Sequence, residues 1–180
     1  MFTGIVQLKS KKKKIVKKNF GAELSVEVEN GFTKNLKKGD SIAVNGVCLT
    51  VCTFTKKNIK FEIIHESLRL TNLIKNSSMS LNLERSLKMG DEIGGHLVSG
   101  HIHGMGKVEE FKKGKEKILT ISKPAAIKEY IFKKGYVAIN GISLTVSSSS
   151  KKNFSVSLIP ETIERTNLAE IKKGDYLNIE

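Results

Sequence analysis

Short alternations of apolar and polar residues recur along the whole chain and predict β-strands. Residues 23–29 alternate glutamate and serine with Leu24, Val26 and Val28, as expected of a strand with one buried and one exposed face. Residues 47–52 alternate in the same way, with valine and leucine opposite cysteine and threonine. Further short strands are predicted at Ile59–Ile64, Leu81–Glu84, Ile118–Ser122, Phe154–Ile159 and Leu177–Glu180.

The segments between these strands predict turns and brief helices. Helical spacing indicates short helices at Glu66–Leu73, Pro124–Phe132 and Pro160–Leu168. The chain starts with no visible leader, and Phe2–Val6 is predicted to be a strand. The lysine-rich run Lys11–Lys18 is interpreted as a solvated hairpin loop.

One strand motif occurs twice and indicates an internal duplication. Residues 45–51, Asn-Gly-Val-Cys-Leu-Thr-Val, return 95 residues later at 140–146 as Asn-Gly-Ile-Ser-Leu-Thr-Val. The echo continues without a gap to 71–73 and 166–168, both Thr-Asn-Leu. Asn-Gly is typical of tight hairpin turns. Each copy therefore predicts a hairpin whose strand has an apolar face for a core and a face of small polar groups, which is either a solvated surface or a site.

The duplicated pattern of short strands predicts an all-β protein. We expect two tandem six-stranded antiparallel Greek-key β-barrels with short helices. A closed barrel removes the unpaired edges that short strands would otherwise expose. The predicted domains are residues 1–90 and 91–180.

Composition narrows the class of protein. Apolar content is 39%, no run approaches the roughly 20 apolar residues that span a bilayer, and no signal peptide is visible, so we expect a cytoplasmic protein without a membrane partner. The formal net charge is +13, yet only three of the 31 basic residues are arginine. Arginine is the favoured reader of bases and phosphates, so we expect no nucleic-acid partner.

Cysteine and histidine offer candidate chemistry. Cys48 and Cys52 lie roughly 13 Å apart if they share a strand, too far for a disulfide, so they are expected to be free thiols. Cys48 is either a small core residue or a group at a site. The stretch Gly94–Gly104 holds His96, His101 and His103. It fits a tightly packed junction loop, acid–base chemistry or a zinc site.

Taken together, these motifs resemble the riboflavin synthases of the alpha-chain type. The resemblance rests on segments in the family's order and spacing that cover nearly all of the chain. They are Met1–Val6, Asn45–Val51, Gly94–His101, Gly141–Val146 and Ile159–Thr162.

The resemblance implies a reaction that needs no cofactor and no metal. Two molecules of 6,7-dimethyl-8-ribityllumazine would undergo dismutation, one giving a four-carbon unit to the other, in the last step of riboflavin biosynthesis. The products would be riboflavin and 5-amino-6-(D-ribitylamino)uracil. Two identical substrates would explain two similar barrels, each with one pocket. The family's pockets face each other across the subunits of a homotrimer.

Carried over by position, the resemblance implies two pockets and a reacting centre. The first pocket would comprise Gly4, Ile5, Val6, Cys48, Leu49, Thr50, Glu62, Ile63, Ile64, His65, Glu66 and Ser67. The second would comprise Gly100, His101, Ile102, Lys134, Ser143, Leu144, Thr145, Leu158, Ile159, Pro160, Glu161, Thr162 and Ile163. For catalysis, His101 is the first choice for proton transfer, with Phe2, Thr3, Ser41 and Cys48 around the reacting centre and Ser143 or Thr145 in the opposing pocket.

A binding protein without catalysis, such as the optical lumazine proteins, is the alternative on the same fold. A pure binder needs only one pocket, whereas both copies here keep their polar residues, which favours the enzyme. The family usually continues beyond the position of Glu180 into a C-terminal helix that helps to assemble the trimer. The present sequence ends at Glu180 and so departs from the family pattern. Of the expectations above, trimer assembly is the one that this departure affects.

Overall fold

The computed structural model describes residues 1–11, 13–29, 31–75 and 79–180. Thirteen β-strands and two short α-helices lie within these ranges. In the first half they are β1 (Leu8–Ser10), β2 (Lys13–Lys18), β3 (Gly21–Glu27), β4 (Ser41–Val44), β5 (Val47–Phe54), β6 (Asn58–Ile64), α1 (His65–Leu70) and β7 (Leu81–Arg85). In the second half they are β8 (Gly104–Lys113), β9 (Lys117–Ser122), β10 (Tyr136–Ile139), β11 (Ile142–Ser149), β12 (Asn153–Leu158), α2 (Pro160–Arg165) and β13 (Tyr176–Ile179). Two single-turn 3-10 helices, Ala125–Ile127 and Asn167–Ala169, complete the second half.

The two halves share one antiparallel topology. In the first half the strand order is β1-β7-β4-β5-β6-β3-β2. Strands β1 and β2 follow each other in sequence and, counted together, form the first of six strands. The second half is a closed barrel in the order β10-β11-β12-β9-β8-β13, in which the single strand β8 pairs with both β13 and β9. The prediction of an all-β chain with two six-stranded units is confirmed.

Each barrel has its own apolar core, filled by the strand faces that the alternation predicted. Val47, Leu49 and Val51 are buried in the first core, and Ile142 and Val146 in the second. Their polar neighbours point outward, because side chains alternate across a strand.

The predicted hairpins also form. Asn45 and Asn140 each have a φ of 48°, and the glycines that follow them also have positive φ, as two-residue hairpin turns require. The two cysteines are free thiols, as expected.

Two local predictions were wrong, and a third predicted a longer helix than the structure has. Most of the run predicted as a solvated loop is strand β2 instead, whose lysines are held on the sheet by pairing with β3; residue 12 of that run lies outside the described residues. The first residues do not form a strand, since Phe2 makes one isolated bridge to Val98 and Gly4 has a φ of 76°. The segment 124–132 contains only a single 3-10 turn.

The barrels meet through six buried asparagines related by the duplication, all at most 2% exposed. They are Asn45, Asn72, Asn82, Asn140, Asn167 and Asn178. The Nδ2 group of Asn72 donates to Oδ1 of Asn140 at 2.9 Å, and that of Asn167 donates to Oδ1 of Asn45 at 3.0 Å. Each half therefore satisfies polar groups of the other, which binds the barrels into one unit.

The asparagine hairpins pack back to back. A Cβ atom at Gly46 would lie 2.7 Å from the backbone nitrogen of Gly141, and one at Gly141 would lie 2.7 Å from that of Gly46. Only glycine permits this approach of two backbones. Among the described residues, no helix is long and apolar enough to cross a membrane.

Candidate functional site

The polar residues predicted as site residues lie on the outer faces of two equivalent strand pairs. On β4 and β5, Ser41 pairs with Thr50 and Ala43 with Cys48. On β10 and β11, Tyr136 pairs with Thr145 and Ala138 with Ser143. Cys48 and Ser143 are half-buried, and the two threonines are exposed.

The strand carrying each polar face separates from its neighbour at the same point. The ladder between β5 and β6 ends at the pair Val51–Phe61, and the ladder between β11 and β12 ends at Val146–Val156. Beyond these open ends, β6 and β12 lead into the segments 62–67 and 158–163, which were predicted for the two pockets. Such an opening presents strand backbone and small side chains together, which suits a flat heterocycle with hydrogen-bonding edges.

A segment from the opposite half of the chain lies at each opening. The N–H of Ser143 donates to the carbonyl of Gly4 at 2.8 Å, and the N–H of Cys48 donates to the carbonyl of Gly100 at 2.9 Å. Val6 packs on the second core and Ile102 on the first. These contacts differ from the expected grouping. Gly4 contacts Ser143 and Val6 packs on the second core, whereas Gly100 contacts Cys48 and Ile102 packs on the first core.

These contacts explain why glycine occupies both positions, 4 and 100, at which a segment of one half crosses to a strand of the other half. Gly4 has a φ of 76°, and a Cβ atom there would lie 2.7 Å from the Ser143 Cβ. Gly100 has a φ of 86°, and its Cβ would lie 2.6 Å from the Cys48 Cβ. Any side chain at either position would push the crossing segment off its strand.

A carboxylate fixes each crossing segment. Oε1 of Glu84 accepts from the N–H and hydroxyl of Thr3 at 2.7 and 2.8 Å, and its Oε2 accepts from the N–H of Gly4. Oε1 of Glu180 accepts from the N–H and hydroxyl of Ser99 at 2.7 and 2.6 Å. Burial raises the pKa of the Glu84 carboxyl, and the donors from Thr3 and Gly4 oppose that shift.

His96, a histidine of the Gly94–Gly104 stretch that is not among the predicted site residues, contacts the second strand pair. Its Nδ1 lies 2.6 Å from the Ser143 Oγ in a hydrogen bond, and its ring packs on that of Tyr136 with centroids 4.6 Å apart. Burial lowers the pKa of His96, and the negative charge of Glu180 partly offsets that shift. The partners are 47 residues apart, so no local sequence pattern indicated this pair.

The other histidines of this stretch have different surroundings. His101 is exposed, and its N–H donates to the Ser99 hydroxyl at 3.1 Å. His103 lines a cleft of about 480 Å³ with Tyr136 and Glu180. Among the described residues, no group of three or more histidine, cysteine or acidic side chains is placed to hold a metal ion.

Phe2 lies beneath the site surface. Its side chain is 0% exposed and packs with Ala43, Val98, Ala138 and the half-buried Cys48. The ring therefore supports the floor of the opening beside Cys48, while the next residue, Thr3, meets Glu84.

The corners after β6 and β12 carry the remaining predicted residues. Ile64 and Ile159 occupy equivalent corners and are 60% and 63% exposed. The helices that follow are held by ion pairs, Glu66 with Arg69 and Glu161 with Arg165. Lys134 has a φ of 72°, and its N–H donates to Val146 at 2.9 Å, so its backbone marks the end of the second opening.

Comparison with known proteins yields a consistent result. The profile of the family described as "Lumazine binding domain" matches residues 3–86 and 99–180. The riboflavin synthase of Escherichia coli K12 is 41% identical over 185 residues, covering 100% of this chain and 86% of that protein. The riboflavin synthase of Chlamydia pneumoniae is 40% identical over 181 residues, covering 100% of this chain and 89% of that protein.

Solved structures agree on the fold. The crystal structure of LumP complexed with riboflavin has a TM-score of 0.91 and 25% identity, covering 100% of this chain and 98% of that chain. LumP complexed with 6,7-dimethyl-8-(1'-D-ribityl) lumazine has a TM-score of 0.89 at 25% identity over the same shares of the two chains.

Proposed function

The chain belongs to the riboflavin synthase family, and from this premise we propose that it converts two molecules of 6,7-dimethyl-8-ribityllumazine into riboflavin and 5-amino-6-(D-ribitylamino)uracil. The observation that carries the proposal is the pair of equivalent openings, at Cys48 and Ser143, in a chain about 40% identical to riboflavin synthases over its full length. A dismutation of two identical molecules needs two similar binding sites, and the duplication supplies them.

Each opening offers suitable groups to one lumazine. The strand backbone at Thr50 and Thr145, next to the amides of Cys48 and Ser143 that Gly100 and Gly4 already engage, would pair with the pyrimidine-dione. Polar side chains of the strand and corner residues would bind the ribityl hydroxyls. The exposed Ile64 and Ile159 at the corners would cover the apolar part of the ring system. Holding two rings in register turns a bimolecular encounter into a first-order step, which contributes up to ~7–11 kcal/mol to the rate.

The reaction starts with removal of a proton from the 7-methyl group of one lumazine, whose anion the electron-poor ring delocalises. We assign this transfer to His101, whose side chain is exposed beside the Gly100–Cys48 contact. In the other opening, the His96–Ser143 hydrogen bond places an imidazole, whose pKa burial lowers, next to a hydroxyl. That pair is suited to polarising or deprotonating a group that adds to the second lumazine.

We also propose that the working form is a homotrimer in the cytoplasm. In this arrangement the first barrel of one subunit would face the second barrel of its neighbour and bring two rings together. Exposed aromatic side chains near the second opening, Tyr130, Phe132 and Tyr136, support an interface there. Sedimentation tests this proposal: a stable monomer with full activity would refute it.

A lumazine- or flavin-binding protein without catalysis is the second candidate. The observation that favours it is the TM-score of 0.91 to LumP complexed with riboflavin. The higher identity to riboflavin synthases favours the enzyme.

One experiment separates the two candidates. Purified chain is mixed with 6,7-dimethyl-8-ribityllumazine, without metal or nucleotide, and the absorbance of riboflavin is followed. Catalytic turnover, with riboflavin far exceeding the protein, supports the enzyme. Saturable binding with no riboflavin overturns the proposed reaction in favour of the binding protein.

A further inference from the structure

The duplication relates two carboxylates, those of Glu84 and Glu180, which make equivalent hydrogen bonds in the two barrels. Glu84 is the second-to-last residue of β7, the last strand of the first barrel, and Glu180 directly follows β13, the last strand of the second. Each accepts two hydrogen bonds from a hydroxyl residue, Thr3 or Ser99, and one from the glycine that follows, at 3.1 Å for Gly4 and 3.0 Å for Gly100. Three donors converge on each carboxylate and fix the position of each turn, which is Thr3–Gly4 or Ser99–Gly100.

The next contact of each turn is with the other barrel. The carbonyl of Gly4, held by the first barrel's Glu84, accepts from Ser143 of the second barrel. The carbonyl of Gly100, held by the second barrel's Glu180, accepts from Cys48 of the first barrel. Between the two turns, Phe2 and Val98 exchange backbone hydrogen bonds of 2.8 and 3.0 Å. Each turn thus reaches from its own barrel to the opposite one, and the segments that lead into the two turns are hydrogen-bonded to each other.

We propose that Glu84 and Glu180 are positioning residues that act crosswise, Glu84 setting the geometry of the opening beside Ser143 and Glu180 that of the opening beside Cys48. The proposal rests on the proposed function for its catalytic meaning, because it assigns those openings to the two lumazines. Neither carboxylate touches a reacting atom. Each acts through the glycine carbonyl that holds the backbone of the opposite strand.

The crosswise contacts predict a different response to loss of a carboxylate than a role in stabilising only its own barrel would. A carboxylate that merely stabilised its own barrel would, when removed, loosen that barrel first. Here removal of the first barrel's carboxylate is expected to free an amide of the second barrel, and the reverse. Local opening of this kind is read by amide hydrogen exchange, which reports each hydrogen bond separately.

The experiment compares Glu84→Gln and Glu180→Gln in the full chain by residue-resolved amide exchange. Glutamine keeps the size but replaces one acceptor oxygen with a donor, which faces the donors of the turn. In E84Q, exchange of the Ser143 amide should accelerate by about tenfold or more, with the Cys48 amide within about twofold of its original rate. E180Q should give the opposite pattern.

Glu170→Gln is the matched control. The Glu170 carboxylate also accepts from a serine N–H and hydroxyl, those of Ser80, at 2.8 and 2.7 Å. It touches neither crossing turn, so both amides should keep their rates in this variant.

Kinetics give the second readout. In E84Q, kcat for riboflavin formation should fall by about tenfold or more while KM stays within about threefold, because the second lumazine binds but is misaligned. E170Q should retain kcat within about twofold.

Each outcome decides the proposal. The crossed exchange pattern together with the fall in kcat supports it. Acceleration of both amides in each variant, no acceleration in either, or crossed exchange with unchanged kcat overturns it. If E84Q or E180Q does not fold, Thr3→Val and Ser99→Ala remove only the hydroxyl donors and should give the same crossed pattern more weakly. If the wild-type chain makes no riboflavin, the proposed function fails, and the exchange pattern still decides whether the carboxylates act crosswise.

Discussion

His96 and His101 lie five residues apart, yet the fold gives them opposite surroundings. The ring of His96 is packed between Ser143 and Tyr136, whereas His101 is exposed. A partly buried imidazole beside a hydroxyl and an exposed imidazole beside an opening can take different parts in one reaction. Proton transfer to and from solvent suits the exposed His101, whereas the hydrogen bond to Ser143 fixes the orientation of the half-buried His96.

His101→Ala tests the exposed histidine. Turnover should fall by roughly ten- to ten-thousand-fold if this side chain transfers the methyl proton. Folding should be unaffected, since the exposed ring leaves no cavity, and circular dichroism serves as the check. An unchanged kcat would remove His101 from the mechanism.

Titration of His96 tests the half-buried histidine. Its pKa is lowered in the folded chain, so between that lowered value and the ordinary 6.5 the unfolded chain binds a proton that the folded chain does not. The free energy of unfolding should therefore rise with pH through this window and be lost as pH falls through it. Urea unfolding at several pH values measures the slope, and His96→Gln should remove it.

An NMR titration of His96 separates the effect of burial on its pKa from the effect of charge. Glu180→Gln removes the negative charge that opposes the effect of burial, so the NMR titration of His96 in that variant should move to lower pH. A shift to higher pH would contradict the assigned balance of burial and charge.

At the level of elements, the two Asn-Gly hairpins bring the backbones of the two barrels into close contact. Gly46→Ala should destabilise the chain by about 3 kcal/mol or more, because the new Cβ would meet the backbone of Gly141 at 2.7 Å and the φ is positive. Gly39→Ala is the control. Gly39 also has a positive φ but nothing within 4 Å of its Cβ position, so the expected loss is about 1 kcal/mol.

The second barrel supports the choice of control. The position equivalent to Gly39, 95 residues later, is Lys134, which has a φ of 72°. A side chain is thus tolerated at that turn. Equal losses for the two alanine variants, measured by urea unfolding, would show that the hairpins do not pack as described.

The elements also show what the sequence could and could not predict. The buried faces of β5 and β11 follow from local alternation, and the Asn-Gly turns follow from the φ that those residues accept. The crossing of the two segments does not, because Thr3 meets Glu84 across 81 residues and no local pattern records such a pairing. Hence the individual site residues could be proposed by position, whereas the contact of Gly4 with Ser143 across the two barrels could not.

At the scale of the whole molecule, the asparagine cluster makes the two barrels interdependent. Asn72 donates to Asn178, Asn140 and the carbonyl of Tyr176, all in the second half. Asn167 makes the equivalent bonds to the first half. The barrels should therefore unfold in one transition, since neither can separate without leaving buried amides unpaired.

Asn72→Ala and Asn167→Ala test this coupling. Each should lower the free energy of unfolding by about 3 kcal/mol, because several buried polar groups lose their partners. The double variant should cost less than the sum, since both asparagines share the same network. Additive losses, or two separate transitions in the wild-type chain, would contradict a single interdependent cluster.

The balance of the reaction tests the central claim most directly. Lumazine, riboflavin and 5-amino-6-(D-ribitylamino)uracil are quantified by chromatography as the reaction proceeds without added metal or nucleotide. Two identical substrates held at two equivalent openings predict that two lumazines disappear for each riboflavin and each pyrimidine formed. Riboflavin formed from one lumazine without the pyrimidine, or binding of lumazine with no product, would contradict the dismutation and the role of the second opening.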